Sequence, residues 1–119
     1  MQPLNYPISY YEGDDFTLII NPKNSAGEPI DLTGADPYFR IAHIRGDNSD
    51  PAKRINGDAI VDTINGGPAS IVAHLPGALG DQMQNGWVYD VGYVKDGKTV
   101  TVVTGTFNVV YKVMPVEGA

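Results

Sequence analysis

The residues with the clearest chemical potential lie in a segment that matches the nucleotide-binding P-loop pattern. Residues 92–99, GYVKDGKT, fit G-x-x-x-x-G-K-[ST], in which backbone amides cradle phosphates and the lysine reaches them. A P-loop also needs a following helix whose N-terminus faces those phosphates. Here residues 99–104 read TVTVVT, a β-branched run that favours an extended strand. We therefore interpret the match as coincidental and expect no nucleotide cofactor.

The same segment predicts a β-hairpin. Asp96-Gly97 separates two runs of alternating apolar residues, and Asp-Gly is a strong signal for a two-residue turn. Along the second strand of the hairpin the apolar residues change from even to odd positions. Such a change requires a bulge, and Gly105 is its predicted position. The predicted cross-strand pairs are Tyr93 with Val100, Val91 with Val102, and Tyr89 with Thr104.

Other residue types that could carry catalysis or bind a metal are few. The chain has no cysteine, and neither His43 nor His74 has a nucleophile partner at a recognisable spacing. The aspartates mostly occupy turn positions. Residues 47–50, DNSD, concentrate oxygen ligands in one loop but lack the EF-hand spacing, so weak calcium binding stays an open alternative. We expect no catalytic residue, no cofactor and no metal ligand.

Composition limits the range of partners. A chain of 119 residues is most simply one domain, and its formal charge of −6 argues against nucleic acid or an anionic membrane as the main partner. No apolar run approaches the length needed to cross a bilayer, and the N-terminus lacks the order of a signal peptide. We therefore expect the chain to assemble in the cytoplasm where it is made.

Short alternating segments predict an all-β fold. Fourteen glycines and nine prolines punctuate the chain, as is typical of a sandwich or small barrel. We expect one domain over residues 13–113, preceded by an arm or edge strand at 1–12 and followed by a tail at 114–119. Besides the hairpin, the predicted elements are strands at 16–20, 38–45, 60–64 and 70–75 and one helical turn within 77–83.

The N-terminal segment is the candidate partner-binding region. Pro3 and Pro7 exclude a regular central strand, yet the segment is too apolar for a free tail, so it is either an edge strand or a docking arm. Tyrosine is favoured at protein interfaces because its ring buries area while its hydroxyl stays hydrogen-bonded. The candidate partner-binding residues are Tyr6, Ile8, Tyr10 and Tyr11.

Several short motifs resemble a known family. The motifs are GDDFTL at 13–18, GEPIDLTGA at 27–35, WVYDV at 87–91 and GTFNV at 105–109. Together they resemble bacteriophage virion domains similar to the N-terminal domain of baseplate upper proteins. The resemblance implies an immunoglobulin-like antiparallel β-sandwich of about seven to eight strands with one short helical turn, and no catalytic residues are carried over with it.

The resemblance also implies a function. Baseplate relatives continue into a fibre or receptor-binding part and this chain does not, so we expect a capsid decoration or cement protein that docks on the capsid lattice of the virion. It would act as a homo-oligomer or in multiple copies. A tail, baseplate or fibre adaptor is the first alternative. A carbohydrate-binding module, with Trp87 and the tyrosines stacking on sugar rings, is the second.

Overall fold

The computed structural model describes residues 4–24, 26–43, 54–62, 69–80 and 84–110. These ranges are mostly extended strand with one short helix, so the all-β prediction is confirmed. The elements are β1 (Leu4–Asn5), β2 (Ile8–Tyr11), β3 (Phe16–Ile20), β4 (Asp36–Ala42), β5 (Arg54–Asp62), β6 (Ser70–Leu75), α1 (Gly77–Gly80), β7 (Val88–Lys95) and β8 (Lys98–Val110).

The strands form one continuous, curled sheet. Its hydrogen-bonded order is β1-β8-β7-β4-β5-β6-β3, and β2 also pairs with β8. Neighbouring strands run antiparallel except at β8, which pairs in parallel with β1 and β2. The parallel pairs differ from the antiparallel arrangement that we predicted throughout. Within the described ranges the sheet therefore ends in two edges, an N-terminal edge made of β1 and β2 and a second edge made of β3.

Strand β5 is longer than predicted and joins two parts of the sheet. It begins at Arg54, because the turn-like sequence Asn56-Gly57-Asp58 is held extended by partners on both sides. Asn56 pairs with β4 and Asp58 with β6, so the partner changes at Gly57. A side chain at Gly57 would collide with the Phe39 ring. We call β1, β2, β8, β7 and β4 with the first part of β5 the large half, and the rest of β5 with β6 and β3 the small half.

The hairpin between β7 and β8 confirms the predicted turn. Asp96 and Gly97 have φ values of 54° and 74°, the positive pair that a type I′ turn requires. Tyr93 pairs with Val100 as predicted. Lys98 begins a strand, so no helix follows the P-loop-like segment and the geometry that would hold a phosphate is not formed.

The predicted position of the bulge was wrong. The register shifts between Val91 and Gly92, so Val91 pairs with Val103 and Tyr89 with Gly105, one residue beyond the predicted partners. Val102 is the extra residue, and both Val102 and Val103 are buried. A side chain at Gly92 would collide with the Val100 carbonyl oxygen, so the glycine that permits the irregularity lies on β7 rather than at Gly105.

An aromatic cluster forms the centre of the core. Phe107 of β8 contacts Tyr10, Phe16 and Tyr89 with ring centroids 6.1, 6.3 and 5.2 Å away, mostly edge to face. Because these rings come from strands at both ends of the sheet order, they hold the curled sheet together. Leu79 of α1 packs against the core.

Two further predictions cannot be compared with the structure. The polar loop at 47–50 and the tail at 114–119 lie outside the described residues. Strand β4 ends at Ala42, and the predicted continuation to residue 45 falls largely in the same undescribed part. No helix in the described ranges is long and apolar enough to cross a membrane.

Candidate interaction surface

The N-terminal edge combines buried anchors with exposed rings. Ile8 and Tyr10 are only 3% and 2% exposed and belong to the core. Tyr6 and Tyr11 are 48% and 57% exposed. Of the four candidate partner-binding residues, two therefore hold the segment in the sheet and two face solvent. The segment is an edge strand that pairs with β8.

Hydrogen bonds position this edge against β8. The Tyr6 N–H donates to the Thr104 carbonyl oxygen at 2.9 Å, and the Tyr89 hydroxyl donates to the Tyr6 carbonyl oxygen. Gly105 lies beneath this contact, where a Cβ would collide with the Tyr6 carbonyl. At the other end of the segment the Tyr10 hydroxyl donates to the Asp14 carbonyl oxygen at 2.6 Å. Tyr6 and Tyr11 are therefore displayed by a segment that hydrogen bonds hold against the sheet.

A seam separates the N-terminal edge from β3. It is closed at one end, where the Tyr10 and Phe16 rings meet edge to face with centroids 6.4 Å apart. At the other end an apolar cleft of about 540 Å³ lies between the two edges. The cleft is lined by Leu4, Tyr6, Leu18, Ile19, Ile20, Asn21, Lys23 and Val103.

Large exposed apolar side chains fall into two groups. The first group follows the N-terminal edge and its neighbour β8, where Leu4 and Tyr6 stand at the cleft and Tyr11 lies beside Val110. The second group consists of Ile19 and Ile60 on the outer face of the small half, and Ile19 also lines the cleft. Contiguous exposed apolar surface commonly marks interaction sites in soluble proteins. Both groups are candidate docking surfaces.

The outer face of the large half is polar instead. The Arg40 guanidinium lies 4.4 Å from the centre of the Tyr38 ring, and the Tyr38 hydroxyl is 3.0 Å from Thr101 Oγ1. The absence of a side chain at Gly92 leaves room for the Tyr38 hydroxyl. The Thr104 hydroxyl donates to Asp90 Oδ1 at 2.6 Å. These groups are already partnered, so this face offers less to a protein partner than the two apolar groups do.

The two histidines contact neighbouring side chains. His74 is half-exposed, with Nε2 3.9 Å from Asp15 Oδ1 and Nδ1 3.7 Å from Asp58 Oδ2. Asp15 Oδ1 also accepts a 2.8 Å hydrogen bond from the Gly77 N–H at the start of α1. His43 packs edge-on against Trp87, with ring centroids 6.5 Å apart. Across the described ranges, no three His, Cys, Asp or Glu side chains are arranged to hold a metal ion.

The DLTG motif forms a turn that closes one end of the core. The Thr33 N–H donates to Asp31 Oδ1 at 2.9 Å, and Leu32 is buried. Lys95 Nζ donates to the Asp31 carbonyl oxygen at 2.8 Å and lies 4.0 Å from its carboxylate. The hydrogen bonds from Thr33 and the charge of Lys95 lower the pKa of the Asp31 carboxyl below 3.8. The motif therefore has a structural role in this chain.

A scan against protein-family models and a search of the curated proteins found no match to this chain. Its function is therefore inferred from the residues and the geometry described above.

Proposed function

We propose that this chain is a non-enzymatic virion structural protein that docks on a capsid lattice through its N-terminal edge. The supporting observation is that this edge is anchored by Ile8 and Tyr10 in the core while it displays Leu4, Tyr6 and Tyr11 to solvent. Side chains already ordered on a strand lose little further freedom when a partner covers them. Tyrosine rings supply contact area with few rotatable bonds.

In its finer architecture we propose an immunoglobulin-like sandwich. The change of partner at Gly57 supports this proposal, because it divides the strands into a large and a small half, and the Phe16 and Phe107 rings from the two halves meet in the core. The chain crosses between the halves from β2 to β3, from β3 to β4 and from β6 to β7. The motifs that carry the resemblance occupy the start of β3, the turn at Asp31 and the hairpin strands.

The partner is proposed to be the major capsid protein. The net charge of −6 makes a nucleic acid a poor partner and leaves a protein surface as the natural one. A lattice offers many equivalent sites, so modest affinity per copy suffices for high occupancy when copies also contact each other. The protein would be assembled in the host bacterial cytoplasm and found in the virion.

A tail, baseplate or fibre adaptor would use the same edge and is the alternative. Quantitative mass spectrometry of purified particles distinguishes the two, because a capsid lattice binds hundreds of copies and a tail binds a handful. Cryo-electron microscopy of the same particles locates the density. Absence of the chain from particles would overturn the virion role altogether.

The docking surface is tested with a pair of matched variants. Tyr11→Arg places a charge on the proposed surface and should weaken co-sedimentation with particles at least tenfold. Ile60→Arg changes an equally exposed side chain on the small half and should leave co-sedimentation unchanged. Circular dichroism of both variants controls for folding. Equal binding by Tyr11→Arg and the wild type would exclude this edge.

The carbohydrate-binding alternative lacks the residue on which it chiefly depended. Trp87 is only 6% exposed and packs in the core against His43, so its ring has no free face for a sugar. Tyr6 and Tyr11 remain as exposed rings, but they lie at opposite ends of the edge, about 17 Å apart along an extended strand. We expect the protein to bind no sugar on a glycan array.

A further inference from the structure

The β3 edge is an unusually unprotected sheet edge. Its sequence, FTLII, contains no charge and no proline, and its pairing with β6 shows no bulge. In the described residues β6 is the strand hydrogen-bonded to β3, so the other side of β3 presents unpaired backbone groups. Natural proteins usually protect such an edge with charges, prolines or bulges, because it can pair with another chain. An edge without these devices points to a partner.

An apolar row reaches this edge across the outer face of the small half. Ile19 and Ile60 both pair with Val72, so the three side chains form a line perpendicular to the strands. Ile19 is 64% exposed and Ile60 is 60% exposed. Polar rows border the line on both sides. They consist of Thr17, His74 and Asp58 on one side and Asn21, Ser70 and Asp62 on the other.

We propose that β3 pairs antiparallel with β3 of a second copy of this chain, about a two-fold axis that passes between the two Ile19 residues. In this register Ile19 stands opposite its own counterpart, and the apolar row continues across six strands. The charges also match, because Asp15 of each copy then stands opposite Lys23 of the other. Both residues are exposed, and they flank β3 at its two ends.

The inward face of the pair is complementary as well. Leu18 of one copy stands beside Ile20 of the other, and both side chains line the cleft at the open end of the seam. The new pairing is short, because Lys23 already forms a bridge to Pro29 and the strand cannot extend further. Asp15 Oδ1 accepts a hydrogen bond from the Gly77 N–H, and the Asp15 side chain is 77% exposed, so its carboxylate is accessible to the lysine of the second copy.

A second copy fits this edge better than an unrelated strand does. A two-fold contact uses every group twice, so an acid at one end of β3 and a base at the other become two ion pairs. In the same arrangement the apolar residues at the centre of β3 face the same residues of the second copy. The proposal does not depend on the virion role, because it is tested with purified protein in the absence of particles.

Sedimentation velocity of the purified chain tests the association. We expect a concentration-dependent monomer–dimer equilibrium. Ile19→Lys should weaken dimerisation at least tenfold, because it sets two like charges opposite each other on the axis. Ile60→Lys is the matched control, since it adds the same charge at similar exposure two strands from the axis, and should still dimerise. A wild-type chain that stays monomeric up to about 1 mM would overturn the proposal.

Charge reversal tests the register. Lys23→Glu should weaken dimerisation, and the double variant Asp15→Lys/Lys23→Glu should restore it by exchanging the two partners. Failure of the double variant to recover, with both proteins folded by circular dichroism, rules out this register.

Cross-linking tests the axis directly, because the chain has no cysteine of its own. Ile19→Cys should form a disulfide-linked dimer on mild oxidation, since residues on a two-fold axis between strands lie within disulfide distance. Ile60→Cys should remain largely monomeric. Equal cross-linking of the two variants, or a dimer that survives Ile19→Lys, would place the contact elsewhere.

Discussion

The Tyr89 hydroxyl donates a hydrogen bond to the Tyr6 carbonyl oxygen, and this contact crosses over β8 to join β7 to the N-terminal edge. It is possible only because Gly105, which lies between them on β8, has no side chain. The edge that carries the proposed docking surface is therefore held by a residue two strands away. This relationship makes the position of the edge sensitive to changes far from its own sequence.

Loss of the Tyr89 hydroxyl should loosen the N-terminal edge. Tyr89→Phe removes one partly buried hydrogen bond and should lower the free energy of unfolding by about 1 kcal/mol. Hydrogen exchange should quicken at Tyr6 and Ile8, while the β7–β8 hairpin keeps its protection. Tyr11→Phe removes an exposed hydroxyl and serves as the control in urea denaturation. Equal effects of the two substitutions would contradict the importance of the contact.

A methyl group at Gly105 should be more damaging. Gly105→Ala puts a Cβ against the Tyr6 carbonyl and 3.0 Å from the Tyr89 ring. We expect a loss of about 1–3 kcal/mol, typical of overpacking, because the edge must move outward. Asn108→Ala, at an exposed position of the same strand, should change stability by less than about 0.5 kcal/mol. Thermal unfolding of the two variants in the same buffer measures the difference in their stability.

Truncation of Ile8 tests whether the N-terminal segment belongs to the folding unit. Because Ile8 is buried, Ile8→Ala should cost about 2–4 kcal/mol. Leu4→Ala, at an exposed position of β1, should cost less than about 1 kcal/mol. Urea denaturation monitored by Trp87 fluorescence measures both. If Ile8→Ala were neutral, the segment would be a detachable arm.

The Asp31 carboxyl should contribute a pH dependence on the acid side. The lowered pKa of Asp31 means that the folded state favours the ionised carboxyl. The resulting stabilisation is present above the unfolded-state pKa, and it is lost as pH falls through the folded-state pKa, which is below 3.8. NMR titration should show the pKa of Asp31 rising in Thr33→Val, and rising less in Lys95→Met. In Asp31→Asn the free energy of unfolding should fall less steeply as the pH is lowered. An unchanged titration in Thr33→Val would contradict this cause.

The P-loop-like segment should bind no nucleotide. Calorimetry with ATP and magnesium should give no saturable heat for either the wild type or Lys98→Ala, because Lys98 lies in a strand and no helix N-terminus faces the segment. Saturable binding that is lost in Lys98→Ala would show that the segment rearranges around a phosphate.

Features with local causes could be predicted from the sequence. Asp96-Gly97 forms the expected turn, because two adjacent residues with positive φ are a property of that dipeptide and need no distant contact. Strand β3 has the predicted bounds, since Asn21-Pro22 ends the alternating run. Strand β6 and the helical turn α1 also agree with their predicted positions.

Features that depend on distant partners could not be predicted. The sequence Asn56-Gly57-Asp58 indicates a turn, yet β4 and β6 hold it extended from either side. The parity change around Val102 and Gly105 was recognised, but its position depended on Gly92 of the facing strand. Sequence reasoning also missed Leu4 and Ile19 as exposed apolar residues, because their exposure depends on which strands end the sheet.

The amino-acid sequence by itself determined that this chain is all-β, where its tightest turn lies and that Lys98 begins a strand, because β-branched alternation and turn chemistry act over a few residues. Only the tertiary structure decided which tyrosines are buried, where the sheet bends and which edges stay open. Burial and strand pairing are set by residues far apart in the chain, and the same apolar side chain is core in Ile8 and surface in Ile19 according to what lies across from it.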